Sequence, residues 1–240
     1  MCGRYALNVQ ARILEEQFRA LCRVELAPRY NVAPSQGVLI VRDTPIEREA
    51  TLVRWGLVPS WADDIKVGYR MINARSETAA TNGAFKHALK RRRCLVVVSG
   101  FYEWKKLEPE KTRGRKLPHY IRVRDAPGGV FALGGLWEHW QDPAGNELES
   151  CAILTCEPNE LMADLHDRMP VIIDPADYDR WLALDVQGPS NIADLLRPFP
   201  ADRMEAWPVG SEVGSVKNDR PELIEPVPPP GAQGGLFSND

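Results

Sequence analysis

CLVVV, residues 94–98, is the stretch that decides the fold class. It is apolar, rich in β-branched valine and too short for a helix, the pattern of a strand buried on both faces. Working outward, similar runs recur: VLIV at 38–41, YIRV at 120–123, VFAL at 130–133 and CAILT at 151–155. Gly, Pro and Asp clusters separate them, as strand ends require. Helical signals are fewer. Asn8 can cap a helix running to about Arg23, with Leu14, Phe18 and Leu21 on one face. Asp174-Pro175 places a capping residue before a proline at the first helical position and opens a helix to about Leu184; Ser190 can cap a shorter one, NIADLL. Strands outnumber helices and do not alternate with them, so a doubly wound sheet is a poor fit. The pattern predicts one α+β domain built on a curved, mostly antiparallel sheet.

The chain has 240 residues, 44% of them hydrophobic and 26% charged, which suits a globular protein with a sizeable core. Its net charge of −3 averages over a lopsided distribution. Between Arg70 and Arg124, 15 Lys or Arg against 4 Asp or Glu give +11; the remainder carries 15 against 29, or −14. Such a segment predicts a basic face that attracts phosphates, with KKLEPEKTRGRK at 105–116 read as a solvated loop. No apolar run reaches the length of a membrane span, and MCGRYALNVQ lacks the apolar region of a secretory signal. The expected location is the cytoplasm, and the five cysteines are expected as free thiols. No CxxC pair or HExxH motif is present, so no metal and no cofactor are expected. After Pro226 the sequence turns to VPPPGAQGGLFSND, which places a domain at 1–226 and a disordered tail at 227–240.

Cys2 directly follows the initiator methionine. A small second residue permits removal of Met1, which would leave an α-amine and a thiol on adjacent carbons. Their ordinary pKa values, about 8 and about 8.5, give both reactive forms near neutrality. A 1,2-aminothiol condenses with an aldehyde to an imine and then closes to a thiazolidine. Three further segments place polar groups beside apolar strands. INARSET sets Asn73 and Arg75 on one face of a strand, GFYEW surrounds Glu103 with aromatics that raise its pKa, and LHDRMP holds His166 and Arg168 ahead of PVII. Alternative structural roles are a turn for Asn73, a pairing with Lys105 for Glu103 and a helix end for His166.

MCGRY, RYNVAP, WGLVPSW, INARSET, GFYEW, LHDRMPVII and VKN, in order from Met1 to Asn218, resemble the motifs of the SRAP family of abasic-site processing proteins. The resemblance implies a barrel-like core and a protein that shields abasic sites in single-stranded DNA by a covalent crosslink. It implies that Cys2 is the nucleophile, that Glu103 moves protons during imine formation and ring closure, and that His166 protonates the sugar ring oxygen. Asn73 would hold the amino-terminal region and the sugar. Arg4, Arg75 and Arg168, with Thr155 nearby, match positions that grip phosphates. Pro34 and Trp61 match an apolar wedge, and Trp104 follows Glu103 where the family keeps an aromatic. Ala62 departs from members with a second tryptophan there. Strand incision and crosslink reversal are implied activities, a monomer the simplest state, and the nucleoid the location when bound. Self-removal of a leader reduces here to loss of Met1.

Two other functions fit parts of the pattern: an amidohydrolase with a cysteine at its mature amino terminus, and a non-covalent single-stranded DNA-binding module using the +11 segment. In the tail, Gln233, Leu236 and Phe237 form a Q-x-x-L-F pattern similar to peptides that bind the bacterial sliding clamp, or a chance match.

Overall fold

The structure, a computed structural model, describes residues 2–107, 116–184 and 191–228. β7 (Arg93–Val98) is buried at every position. It lies between β4 (Gly37–Asp43) and β10 (Phe131–Gln141), antiparallel to both. β4 turns back into β5 (Arg48–Trp55), and β10 turns back into β11 (Glu147–Cys156). β11 then pairs with β5 in parallel, Ser150 with Arg54 and Cys151 with Trp55. The circuit β4–β5–β11–β10–β7 is therefore a closed five-stranded barrel, in which four pairings are antiparallel. Closure satisfies the edge groups that an open sheet would leave bare.

A second antiparallel sheet runs from the strand Met204–Pro208 through β9 (Lys116–Val123), β8 (Gly100–Lys106) and β1 (Tyr5–Leu7) to β3 (Arg29–Val32). Only Ser99 separates β8 from β7, so the chain passes from barrel to sheet in one step. Strand alternation sorts the side chains. Phe101 and Ile121 join the main core; Tyr102 and Tyr120 face a smaller cluster with Val213 and Leu223. The polypeptide from 209 to 224 thus covers the outer face, and Val227 still donates to the Pro208 carbonyl at 2.9 Å, one residue past the expected boundary.

The helices are shorter than expected. α1 (Ala11–Phe18) starts at an uncapped Gln10, because Asn8 is held elsewhere: its N–H donates to Ser99 Oγ at 2.8 Å. Arg19 at φ 52° stops the helix, and β2 (Leu21–Cys22) pairs with β5, leaving Leu21 39% exposed rather than on the buried face of Leu14 and Phe18. Asp174 does cap its segment, accepting from Ala176 N–H at 3.2 Å ahead of a 3₁₀ turn (Pro175–Asp177) and a helix (Tyr178–Leu182). Ser190 lies outside the described residues; Ala193–Leu195 beyond it is a 3₁₀ turn. The tail with Gln233, Leu236 and Phe237 and residues 108–115 of the basic loop also lie outside them.

A single excursion of the chain places both Trp61 and Asn73. β5 leaves the β11 edge at Trp55, and β6 (Asn73–Arg75) takes up the same edge in parallel, Asn73 opposite Ile153. The intervening loop is pinched at its neck, with Leu57 N–H donating to the Met71 carbonyl at 3.0 Å. Here two backbones meet so closely that a Cβ on Gly68 would stand 2.5 Å from the Gly56 carbonyl oxygen, while Gly56 itself has φ +122°. Overpacking a rigid contact of this kind costs about 1–3 kcal/mol. Gly68→Ala is expected to lower stability by that amount, read as a lower urea midpoint at unchanged slope.

Candidate active site at the amino terminus

The amino-terminal segment is laid along β8: Tyr102 N–H donates to the Arg4 carbonyl at 2.9 Å, and Tyr5 pairs with Phe101. This brings fully buried Cys2 into the field of Glu103, which is 3% exposed. Asn73, first residue of β6, donates from Nδ2 to the Cys2 carbonyl at 2.9 Å. Its Oδ1 is buried and has no hydrogen-bond partner among the described residues. Burial raises the Glu103 carboxyl to about 7, with the charge of Asp167 adding to the effect. Burial also pushes the Cys2 thiol far up, and Glu103 pushes it further. The thiol is thus a protonated, poor nucleophile at neutral pH until a base acts on it.

His166 follows a helical turn (Glu160–Ala163) whose Asn159 cap accepts from Met162 N–H at 2.9 Å. Burial lowers the imidazole, against the opposing charge of Asp167. Its Nδ1 has two neighbours of opposite kind: Arg168 N–H at 3.0 Å and Asp167 Oδ1 at 2.7 Å. A neutral ring with the proton on Nε2 accepts from the amide; a proton on Nδ1 turns it toward the carboxylate. Cys2, Asn73, Glu103 and the 166–167 turn therefore share one neighbourhood.

The expected phosphate ligands are placed less uniformly. Arg75 is exposed, and its side chain makes no hydrogen bond or ion pair among the described residues, though its charge helps hold Glu77 ionised. Arg4 is committed in part: one terminal nitrogen donates to Asn31 Oδ1 and to the Val213 carbonyl, each at 2.8 Å, and the guanidinium carbon is 5.9 Å from the Trp104 ring centre. Arg168 is largely spent within the protein. It forms a two-pronged pair with Glu77 at 2.7 and 2.8 Å and reaches the Thr155 carbonyl at 2.6 Å. Thr155 is fully buried, so it anchors Arg168 and offers no open hydroxyl. Pro34 lies in the turn before β4, and Trp61 stands 63% exposed in the excursion loop.

Among the described residues, three arginines of the basic segment are spent on partners within the protein. Arg93 is buried and donates to the carbonyls of Trp181, Leu89 and Ala183. Arg92 pairs with Glu138 and Arg122 with Glu205. The acidic partners of Arg92 and Arg122 come from β10 and from the strand Met204–Pro208, distant in sequence. Two residues within the family-like motifs carry roles their positions alone did not reveal. Glu77 holds Arg168, and Asn31 accepts from Arg4 while its amide donates to the carbonyls of Val213, Ser215 and Asn218. Tyr69, 59% exposed with the Arg54 guanidinium carbon 5.4 Å from its ring centre, adds a second aromatic beside the Trp61 loop.

The Glu103 shift has a thermodynamic consequence. A buried carboxyl raised from 4.5 to about 7 favours folding while protonated, and that contribution is lost as pH rises through 7. Glu103→Gln stays neutral, so it is expected to match wild type near pH 5 and to be more stable at pH 8, measured by urea denaturation at both.

The SOS response associated peptidase (SRAP) family model matches residues 1–216. The chain is 43% identical over 228 residues to the abasic site processing protein YoqW of Bacillus subtilis (strain 168), covering 94% of this chain and 99% of that one. It is 34% identical over 237 residues to the abasic site processing protein YedK of Escherichia coli (strain K12), covering 95% and 100%. A solved structure of a protein from Bacteroides thetaiotaomicron shares the fold, with a TM-score of 0.83 over 94% of this chain and 100% of that one, at 24% identity. Matched along nearly its whole described length by model and relatives alike, the chain belongs to the SRAP family.

Proposed function

We propose that this protein processes abasic sites in single-stranded DNA by forming a covalent thiazolidine crosslink through Cys2. The observation that carries the reading is the group around Cys2: its carbonyl held by Asn73, its thiol beside a carboxyl raised to about 7. Relatives named abasic site processing proteins supply the substrate class.

The chemistry balances with the residues present. Loss of Met1 exposes the Cys2 α-amine; His166 protonates the sugar ring oxygen, the C1′–O ring bond breaks, and the C1′ hydroxyl gives up its proton to solvent, leaving the aldehyde. The amine adds to the aldehyde carbon, and the oxygen leaves as one water, giving an imine. The thiol then adds across the C=N bond: a C–S bond forms and the thiol proton ends on nitrogen. Glu103, titrating near neutrality, takes protons from the amine and thiol and returns them to the departing oxygen and the ring nitrogen. Because burial keeps the thiol protonated, the amine leads and the sulfur follows. An abasic sugar offers no base to read, so binding rests on backbone charge and stacking. Arg75 and Arg4 are the phosphate ligands in this reading, Pro34 and Trp61 the wedge, and Trp104 a stacking surface; Arg168 contributes mainly through its fixed position. The imine also opens routes to strand incision by β-elimination and, by the reverse sequence, to release of the crosslink. The same reading has the protein act as a monomer in the cytoplasm, on the nucleoid when bound. The tail's Gln233, Leu236 and Phe237 would dock on a sliding clamp; equal clamp retention by wild type and Leu236→Ala/Phe237→Ala would refute that part.

Mixing the protein with an oligonucleotide carrying one abasic site is expected to give an intact mass equal to the sum less one water, stable to heat. Cys2→Ala should lose it. Retained DNA affinity with no adduct in wild type would favour a non-covalent module, and glutamine hydrolysis would favour an amidohydrolase. Arg75→Ala should weaken binding to intact single strands and flatten the slope of log K against log salt by about 0.7, one phosphate contact.

A further inference from the structure

Arg168 is the residue whose surroundings depart most from the expected site. Glu77, in the short helix (Ser76–Ala79) that follows β6, holds both its terminal nitrogens at 2.7 and 2.8 Å. The Thr155 carbonyl and hydroxyl hold one of those nitrogens again, at 2.6 and 3.4 Å. The Arg168 side chain is only 15% exposed. With both terminal nitrogens on a carboxylate, the guanidinium presents no open end-on fork to a phosphate in this state, and its buried Nε has no partner among the described residues. What the clamp does fix is the backbone that carries the side chain, and the Arg168 amide is the group that donates to His166 Nδ1 at 3.0 Å.

We propose that Glu77 is a positioning residue for His166, acting through the Arg168 side chain and amide to keep the imidazole proton on Nε2. This rests on the reading of His166 as the proton donor to the sugar. A nitrogen that accepts an amide N–H bears no proton, so the Arg168 contact selects one neutral tautomer. Asp167 Oδ1, 2.7 Å from the same nitrogen on a side chain 87% exposed, favours the other. Lys106 also acts on the ring through its charge. The outcome depends on how firmly the Arg168 backbone is held: Met169 beside it pairs with Cys156, and Glu77 supplies two of the four contacts that anchor its guanidinium. The arrangement parallels the outer partners that fix a ligating or catalytic histidine elsewhere in proteins.

The direct test is long-range proton–nitrogen NMR of the DNA-free protein labelled in the histidine ring, at a pH where His166 is neutral. Wild type is expected to show the Nε2–H tautomer. Glu77→Ala should shift the population toward Nδ1–H and slow adduct formation about tenfold or more, the scale of a small misplacement of a reacting group. Affinity for an intact strand should stay unchanged. Glu77→Gln, which keeps an acceptor oxygen, should fall between. If Glu77→Ala loses the amide dispersion of a folded protein, Glu77→Gln and Arg168→Lys decide the matter by the same ring signals. Wild type with its proton on Nδ1, or folded variants with unchanged ring signals, would overturn the proposal. So would tighter strand binding with no tautomer change, which would make Glu77 a competitor of phosphate. A wild type that forms no adduct would count against the crosslinking function, and the ring signals would still decide what Glu77 does.

Discussion

One edge of β11 serves two strands in succession, and the rest of the molecule depends on it. β5 occupies the edge at Ser150 and Cys151, closing the barrel; β6 occupies it from Ile153 to Thr155. The chain must leave and rejoin the same line, so it throws out the loop that carries Trp61 and returns at Asn73. The return fixes the direction of Asn73 toward Cys2 and of Arg75 toward solvent, and the helix that follows delivers Glu77 to Arg168. The parallel pairings along this edge thus set the positions of Trp61, Asn73, Arg75 and Glu77.

Desolvation shapes the chemistry from there. Cys2 and Glu103 lie under one roof of sheet and turn, where neither can ionise cheaply. For a thiolate nucleophile that environment would be a handicap. In the crosslinking proposed above it imposes an order on the aminothiol, the amine acting before the sulfur, with the nearby carboxyl shuttling protons at neutral pH.

Much of this was written locally in the chain. CLVVV and CAILT announce strands because they are buried by their neighbours on both sides, and no distant partner can change that reading. Asp174 caps its turn because the cap is local. Where a local signal competes with a distant one, the distant one wins: Asn8 is drawn to Ser99, and Leu21 into a strand against β5. The same holds in the site. Cys2, Asn73, Glu103 and His166 could be picked out from their motifs, but the pairing of Arg168 with Glu77, 91 residues away in sequence, could not. Nor could the burial of Arg93, whose charge counted toward a basic face yet serves carbonyls inside the fold.

The most direct measurement is the location of the attachment. After nuclease and protease digestion of the protein–DNA adduct, tandem mass spectrometry should find the residual sugar phosphate on a peptide that begins at Cys2 and lacks Met1. Both the amine and the thiol should be blocked to alkylation, as a thiazolidine requires. An unmodified Cys2 peptide, with the sugar on a lysine side chain, would contradict the account.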